Sequence, residues 1–179
     1  MTRDHGGVAS FGEWEKSVPS EITGDALWKL DAYRLALFAA RLGFRDVTRL
    51  VGDRRMQGLS DQLYRALGSI SANIAEGYSR GTGRDRAHFY EYALGSARES
   101  RDWYYKAGDL LGDRVTSHRL GLLTQIIRLL LTMVPNQRGH ALREYDISYT
   151  ASAGVGGSAP SATTIDLNGV LQDVPLPDP

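Results

Sequence analysis

This sequence predicts an all-α fold: an antiparallel up-down four-helix bundle with flexible N- and C-terminal extensions. Three observations predict it. Four stretches repeat apolar residues at steps of three and four, the spacing of one helical face at about 100° per residue. Breaker clusters separate these stretches by short connections, which favours antiparallel neighbours. No segment of useful length alternates at the two-residue period of a strand.

Residues 1–24 are polar and aperiodic, with Gly6, Gly7, Gly12 and Pro19, and read as a flexible lead holding one short helical turn at most. The first helix of the bundle is expected to begin near Asp25, a good N-cap residue, and to carry Leu27, Leu30, Leu35, Phe38 and Leu42. Gly43 costs about 1 kcal/mol against Ala in a helix interior, so it invites a kink or an early stop. Residues 51–58 read as a connection, after which Ser60 is expected to cap a second helix running to about Tyr78. Ser79-Arg-Gly-Thr-Gly83 breaks the chain before a third helix over about Arg84–Leu111. Its inner stripe is small (Ala93, Ser96, Ala97, Ser100, with Gly95 beside it), which lets another helix backbone come close. Gly112-Asp113 turns the chain into a fourth helix over about Val115–Val134, ended by Pro135. The domain reading is thus a lead over 1–24, a bundle over 25–138 and a low-complexity acidic tail over 139–179. Within the tail, Ala151–Ala162 cannot bury a core. The apolar island Ile165–Leu171 reads either as a chance cluster or as a short docking segment, and composition favours the first.

The totals exclude several classes. With no cysteine among 179 residues, disulfides, thiolate nucleophiles and Cys metal sites are impossible. The longest apolar candidate, Leu120–Val134, is interrupted by Gly121, Thr124, Gln125, Arg128 and Thr132, so no membrane span is expected. The N-terminus lacks the apolar core of a signal peptide, and a cytoplasmic location is expected. The zero net charge hides an asymmetry. Residues 25–143 carry 19 basic and 12 acidic residues (+7), against −2 for residues 1–24 and −5 for residues 144–179. A basic body between acidic ends admits polyanion binding. Arg supplies 18 of the 21 basic residues and suits bidentate phosphate contacts, although an Arg-rich codon usage explains that bias equally well.

Two side-chain patterns stand out. Arg34, Arg41 and Arg45 fall within about 40° on a helical wheel, with Arg49 nearby and Arg54 and Arg55 extending the set into the connection. They form a candidate nucleic-acid face whose contacts would be sequence-blind and salt-sensitive; an ordinary solvated face is the plainer alternative. On the second helix, Gln62, Arg65, Ser69, Asn73, Glu76 and Arg80 line up beside the apolar stripe of Leu63, Ala66, Leu67, Ile70 and Ile74. This polar stripe is expected to be structural. Arg65 and Glu76 would pair with neighbouring helices, while Ser69 and Asn73 hydrogen-bond across the bundle or a subunit interface.

The catalytic readings are weaker. Gly77-Tyr-Ser79-Arg-Gly81 matches a nucleophile elbow, but a helix precedes the Ser where that motif needs a strand. Gly81-Thr82-Gly83 lacks the Gly-Lys-Ser/Thr of a phosphate loop and leaves only a loose anion site with Arg80, Arg84 and Arg86. His88-x-x-Glu91 is a single pair in the reverse of the di-iron order, so no metal is expected. Arg84/His88 and Arg114/His118 do not match the spacing of helical ribonucleases. Without a convergent acid, base and nucleophile, no enzymatic activity and no cofactor are expected.

The run Gln62-Leu-x-Arg-Ala-x-x-Ser69-Ile-x-x-Asn73-Ile-Ala-Glu-Gly77-x-x-Arg80, with Phe89-x-x-x-Ala93-x-Gly95-Ser96-x-x-Glu99, resembles the signature of a bacterial four-helix bundle family encoded by intervening sequences in 23S ribosomal RNA genes. The resemblance covers about residues 26–134. The chain departs from it in lacking a Phe-Pro pair before the second helix and in its long extensions. The resemblance implies a left-handed bundle that assembles as a ring-like homopentamer without established enzymatic activity. It also implies kinship with the basic, pentameric accessory proteins of diversity-generating retroelements, which bind RNA or DNA and a reverse transcriptase. The functional expectation is therefore a non-enzymatic homo-oligomeric scaffold, a nucleic-acid-binding accessory of a reverse transcriptase or retroelement. The alternative is a protein–protein adaptor with no nucleic-acid role.

Overall fold

A computed structural model describes residues 10–138 and 167–177 of the protein. The readings made for residues 1–9, for most of the acidic tail and for Ile165 lie outside the described residues. Among these, the chain is all-helical. The helices are α1 (Phe11–Ser17), α2 (Ser20–Thr23), α3 (Asp31–Leu50), α4 (Gln57–Tyr78), α5 (Gly83–Lys106), α6 (Gly108–Leu111), α7 (Asp113–Arg138) and α8 (Leu167–Gln172). No described helix is long and apolar enough to cross a membrane.

Four long helices carry the predicted stripes, and each packs against two others: α3 against α4 and α7, and α5 against α4 and α7. Phe38, Leu42, Leu63, Leu67, Ile70, Ile74, Leu122, Ile126 and Leu130 are buried between them. Each such side chain contributes about 1.5–3 kcal/mol on leaving water. The small stripe of α5 is buried at Ala93, Ala97 and Ser100, while Gly95 lies on the outside.

Several boundaries differ from the sequence reading, each for a physical reason. Residues 10–24 are more than a lead with one turn. Ser10 caps α1 by accepting from the Glu13 amide, and Phe11 and Trp14 each place a ring 5.2 Å from that of Phe38. Three apolar residues at steps of three and four (Phe11, Trp14, Val18) are enough to anchor a short polar helix on a core. Asp25 does cap, but it caps the 3-10 turn Ala26–Lys29, and α3 starts at Asp31. Ser60 is not the N-cap of α4; it sits in the first turn, buried, donating its hydroxyl to the Met56 carbonyl. The third predicted helix divides at Ala107 into α5 and α6.

Gly43 does not end α3, which runs on to Leu50. A Cβ there would lie 2.2 Å from Leu67 Cδ1, so the missing side chain is what lets α4 approach. Pro135 does not end α7, which runs on to Arg138. Its ring already has helical φ, and so near the end the lost N–H removes one hydrogen bond while the ring is buried. At the other end of that contact, Gly83 opens α5 beside the backbone of Gln137, whose carbonyl oxygen would meet a Cβ at 2.3 Å.

Substituting Gly83 with Ala tests that contact. Ala has the better helix propensity by about 1 kcal/mol, yet backbone cannot yield as a side-chain tip does. Thermal melts should therefore show Gly83→Ala destabilised by about 1–3 kcal/mol, the range of overpacking; a neutral or stabilised variant would disprove the close approach.

Candidate functional site

The arginines of α3 separate into two kinds. Arg34 is not a free cation: its guanidinium pairs with Glu15 of α1 at 2.7 Å and with Asp31 one turn earlier. Arg55 is likewise held by Asp53, whose carboxyl it brings down to about 2 through side-chain and then backbone hydrogen bonds. Arg45 is half-buried and has a partner. Arg41 and Arg49, two turns apart on α3, and Arg54 in the turn that follows are exposed and have no ion-pair or hydrogen-bond partner among the described residues. Phe44, 54% exposed, lies on α3 between Arg41 and Arg45, with its ring 6.4 Å from that of half-exposed Tyr64 on α4. The predicted six-arginine set thus reduces to three open cations, with an exposed aromatic pair one turn from Arg41.

The polar stripe of α4 is found at the surface, and its members pair along their own helix instead of with neighbouring ones. Arg65 bridges Asp61 at 3.0 Å, Arg80 pairs with Glu76, and Asn73 donates to the Ser69 carbonyl at 2.8 Å. Gln62 is exposed. Arg80 also stacks its guanidinium 4.4 Å from the Phe89 ring centre on α5. Arg65, Asn73 and Glu76 find partners within about one turn, while Arg80 Nε is buried without a hydrogen-bond partner; the side-chain contact from the stripe to another helix is the Arg80–Phe89 cation–π pair.

The structure assembles a cluster that the sequence reading missed. Asp46 of α3 and Arg119 of α7, 73 residues apart, are fully buried and face each other. Arg119 donates from Nε at 2.7 Å and from Nη2 at 3.1 Å, one bond to each carboxylate oxygen. Tyr104 of α5 donates its hydroxyl to Asp46 Oδ2 at 2.7 Å. Burial, with the Asp46 carboxylate next, pushes the Tyr104 phenol well above its ordinary range, so it stays protonated and donates. Burial opposes the Arg119 charge, but Asp46 outweighs it and the guanidinium pKa rises.

The remaining Arg119 donors point to the C-terminal segment. Nη2 reaches the Pro175 carbonyl at 2.9 Å, and Nη1 reaches His118 Nδ1 at 2.8 Å. A guanidinium cannot accept, so Nδ1 accepts and the His118 proton sits on Nε2, which donates to the Val170 carbonyl at 2.7 Å. Burial and then the neighbouring Arg119 charge lower the His118 pKa to about 4. Arg114 pairs with Asp173 at 2.6 Å, and Val174 is buried. Of the two sequence readings for residues up to Leu171, docking is what the structure gives for the described part.

The other motifs resolve into local structure. Ser79 sits at the C-cap of α4 with its hydroxyl on the Ala75 carbonyl. Thr82 caps α5 through the Asp85 amide, and Arg86 Nε donates to the Arg80 carbonyl, so the Gly81–Gly83 turn uses its own polar groups. His88 contacts Tyr92 at 2.8 Å, and Glu91 pairs with Arg138 at 2.7 Å. No group of three metal-ligating residues occurs among the described residues.

In comparisons with known proteins, a family model described as 23S rRNA-intervening sequence protein matches residues 29–130, more than half of the chain. No curated protein and no solved structure matches.

The buried cluster makes two predictions. Asp46→Asn leaves Arg119 buried without its counter-charge and should cost about 3–5 kcal/mol in urea unfolding, whereas Asp46→Leu combined with Arg119→Met should lose far less. Additive losses would contradict the pairing. His118 sets a pH dependence. Between its ordinary value near 6.5 and about 4, the unfolded chain binds a proton that the folded chain does not. Stability should therefore fall as pH drops through that window, by up to about 1.4 kcal/mol per unit, and this component should be level above pH 7. His118→Gln should lack it; equal slopes in the two proteins would refute the assignment.

Proposed function

The chain belongs to the 23S rRNA-intervening sequence protein family, and from that premise we propose that it is a non-enzymatic, self-associating up-down four-helix bundle. In this reading its α3 arginine face holds the phosphate backbone of RNA or DNA, as an accessory of a reverse transcriptase or retroelement. The cyclic packing of α3, α4, α5 and α7 supports the bundle reading. The observation that carries the nucleic-acid reading is the open set Arg41, Arg49 and Arg54. Other arginines near them are neutralised by Glu15, Asp31 and Asp53, while these three are left for an external anion. Phe44, one turn from Arg41, and Tyr64 offer ring faces on which a base can stack. In this reading the three arginines contact phosphates, which fix position and carry no sequence information. Self-association multiplies a weak three-arginine contact into a useful one. It also gives a use to the α3–α4 groove, where Ala40, Gly68, Ser69 and Ala72 leave space for a neighbouring helix beside Tyr64 and Arg65.

Fluorescence anisotropy against single-stranded RNA and DNA at two salt concentrations tests this. The triple variant Arg41→Ala/Arg49→Ala/Arg54→Ala should weaken binding at least tenfold at low salt. It should also flatten the dependence of log K on log salt by about 0.7–0.9 per arginine engaged, with an unchanged melting temperature. Binding by the triple variant equal to wild type would remove the proposed interface, and light scattering reads the self-association separately.

A further inference from the structure

The row His118, Arg119 and Arg114 on the first turns of α7 receives the last turn of α8 and the non-helical residues that follow it. Its occupant supplies two backbone carbonyls five residues apart, from Val170 and Pro175, with a carboxylate between them from Asp173. Val174 fills the buried position beside these contacts. The donors are set before the peptide arrives: Arg119 is clamped by Asp46 and Tyr104 holds that carboxylate, while Arg119 fixes the His118 tautomer. Removing the peptide leaves Arg119 with both Asp46 oxygens and His118 with an N–H that water can satisfy. A preorganised site whose occupant can leave is an exchangeable site.

Chain length permits that exchange to occur between molecules. Arg138 at the end of α7 lies 20 residues beyond His118, about 30 Å along the helix. Residues 139–166 join Arg138 to α8, and 28 residues can reach about 90–100 Å. The connection therefore exceeds threefold what docking on its own α7 requires, and it does not confine the segment to its own body.

We propose that this row is a peptide-recognition socket through which copies of the chain are tied together, the Val170–Pro175 segment of one copy docking on the α7 socket of a second. The inference rests on the self-association proposed above and names the element that links the copies. Its specificity is for a short helical turn followed by an acidic residue immediately before Val-Pro.

The cysteine-free sequence allows a clean test. Full-length Leu176→Cys, at an exposed position next to the docked segment, is coupled to a benzophenone maleimide. It is made in ¹⁴N and ¹⁵N forms, which are mixed, equilibrated and illuminated. Mass spectrometry should find mixed-isotope cross-links between the residue-176 peptide and peptides covering residues 111–119. Adding Val174→Asp should abolish them. Arg114→Glu should reduce them at least fivefold, and Arg114→Glu with Asp173→Arg should restore them. Single-isotope links alone, in a sample that light scattering shows to be oligomeric, would overturn the exchange while leaving self-association standing. Single-isotope links in a monomeric sample would remove both. Mixed links that survive Val174→Asp would mean proximity without a socket, and would also overturn the proposal.

Discussion

The structure depends on one interaction above the rest, the buried ion pair between Asp46 and Arg119. Both side chains have left water, each at a cost of several kcal/mol, and the attraction between them recovers that cost only because the geometry is complete. Two guanidinium N–H groups meet two carboxylate oxygens, and the Tyr104 hydroxyl takes a further lone pair. Three long helices, α3, α5 and α7, are thereby joined at one point. Such a pair adds little stability over apolar residues of equal volume. Its contribution is selectivity, because slipping α7 by one turn, about 5.4 Å, would leave two buried charges without partners.

The same point explains why the C-terminal segment docks where it does. A guanidinium carries five donors, and Asp46 uses two of the N–H directions. Of the other three, the Pro175 carbonyl takes one from Nη2 and His118 Nδ1 takes one from Nη1. His118 then has one N–H to place, and the Val170 carbonyl takes it. The acidic segment is thus the continuation of a hydrogen-bond chain that starts at Asp46. The low His118 pKa is a consequence of lying between burial and that guanidinium.

Much of this was readable from the residues, and what was not follows a pattern. Four long helices were visible because long apolar stripes outweigh local propensity. Gly43 and Pro135 misled because a breaker costs about 1–3 kcal/mol locally, and tertiary packing against Leu67 or at a helix end offsets that. The buried cluster left a signal that went unused. Asp46 falls in register with Leu35, Leu42 and Leu50, and Arg119 with Val115, Leu122 and Ile126; both are charges on the inner stripe. Opposite charges on the core stripes of two helices call for each other. That Val170 and Pro175 complete the set was not readable, since backbone carbonyls carry no sequence mark.

The surface divides by the same accounting of partners. An arginine whose helix offers a carboxylate within one turn is neutralised at home, as Arg65 is by Asp61 and Arg80 by Glu76. Arg41 has only Leu37 and Phe38 four and three positions before it on α3; Arg49 has Arg45 and Asp46 there, and the Asp46 carboxylate is committed to the interior. The buried ion pair therefore has an electrostatic effect outside the core. By turning the one acidic residue in the C-terminal half of α3 inward, it leaves that stretch of helix with a positive face. The choice of Asp46 for the core and the openness of the arginine face are one arrangement seen from two sides.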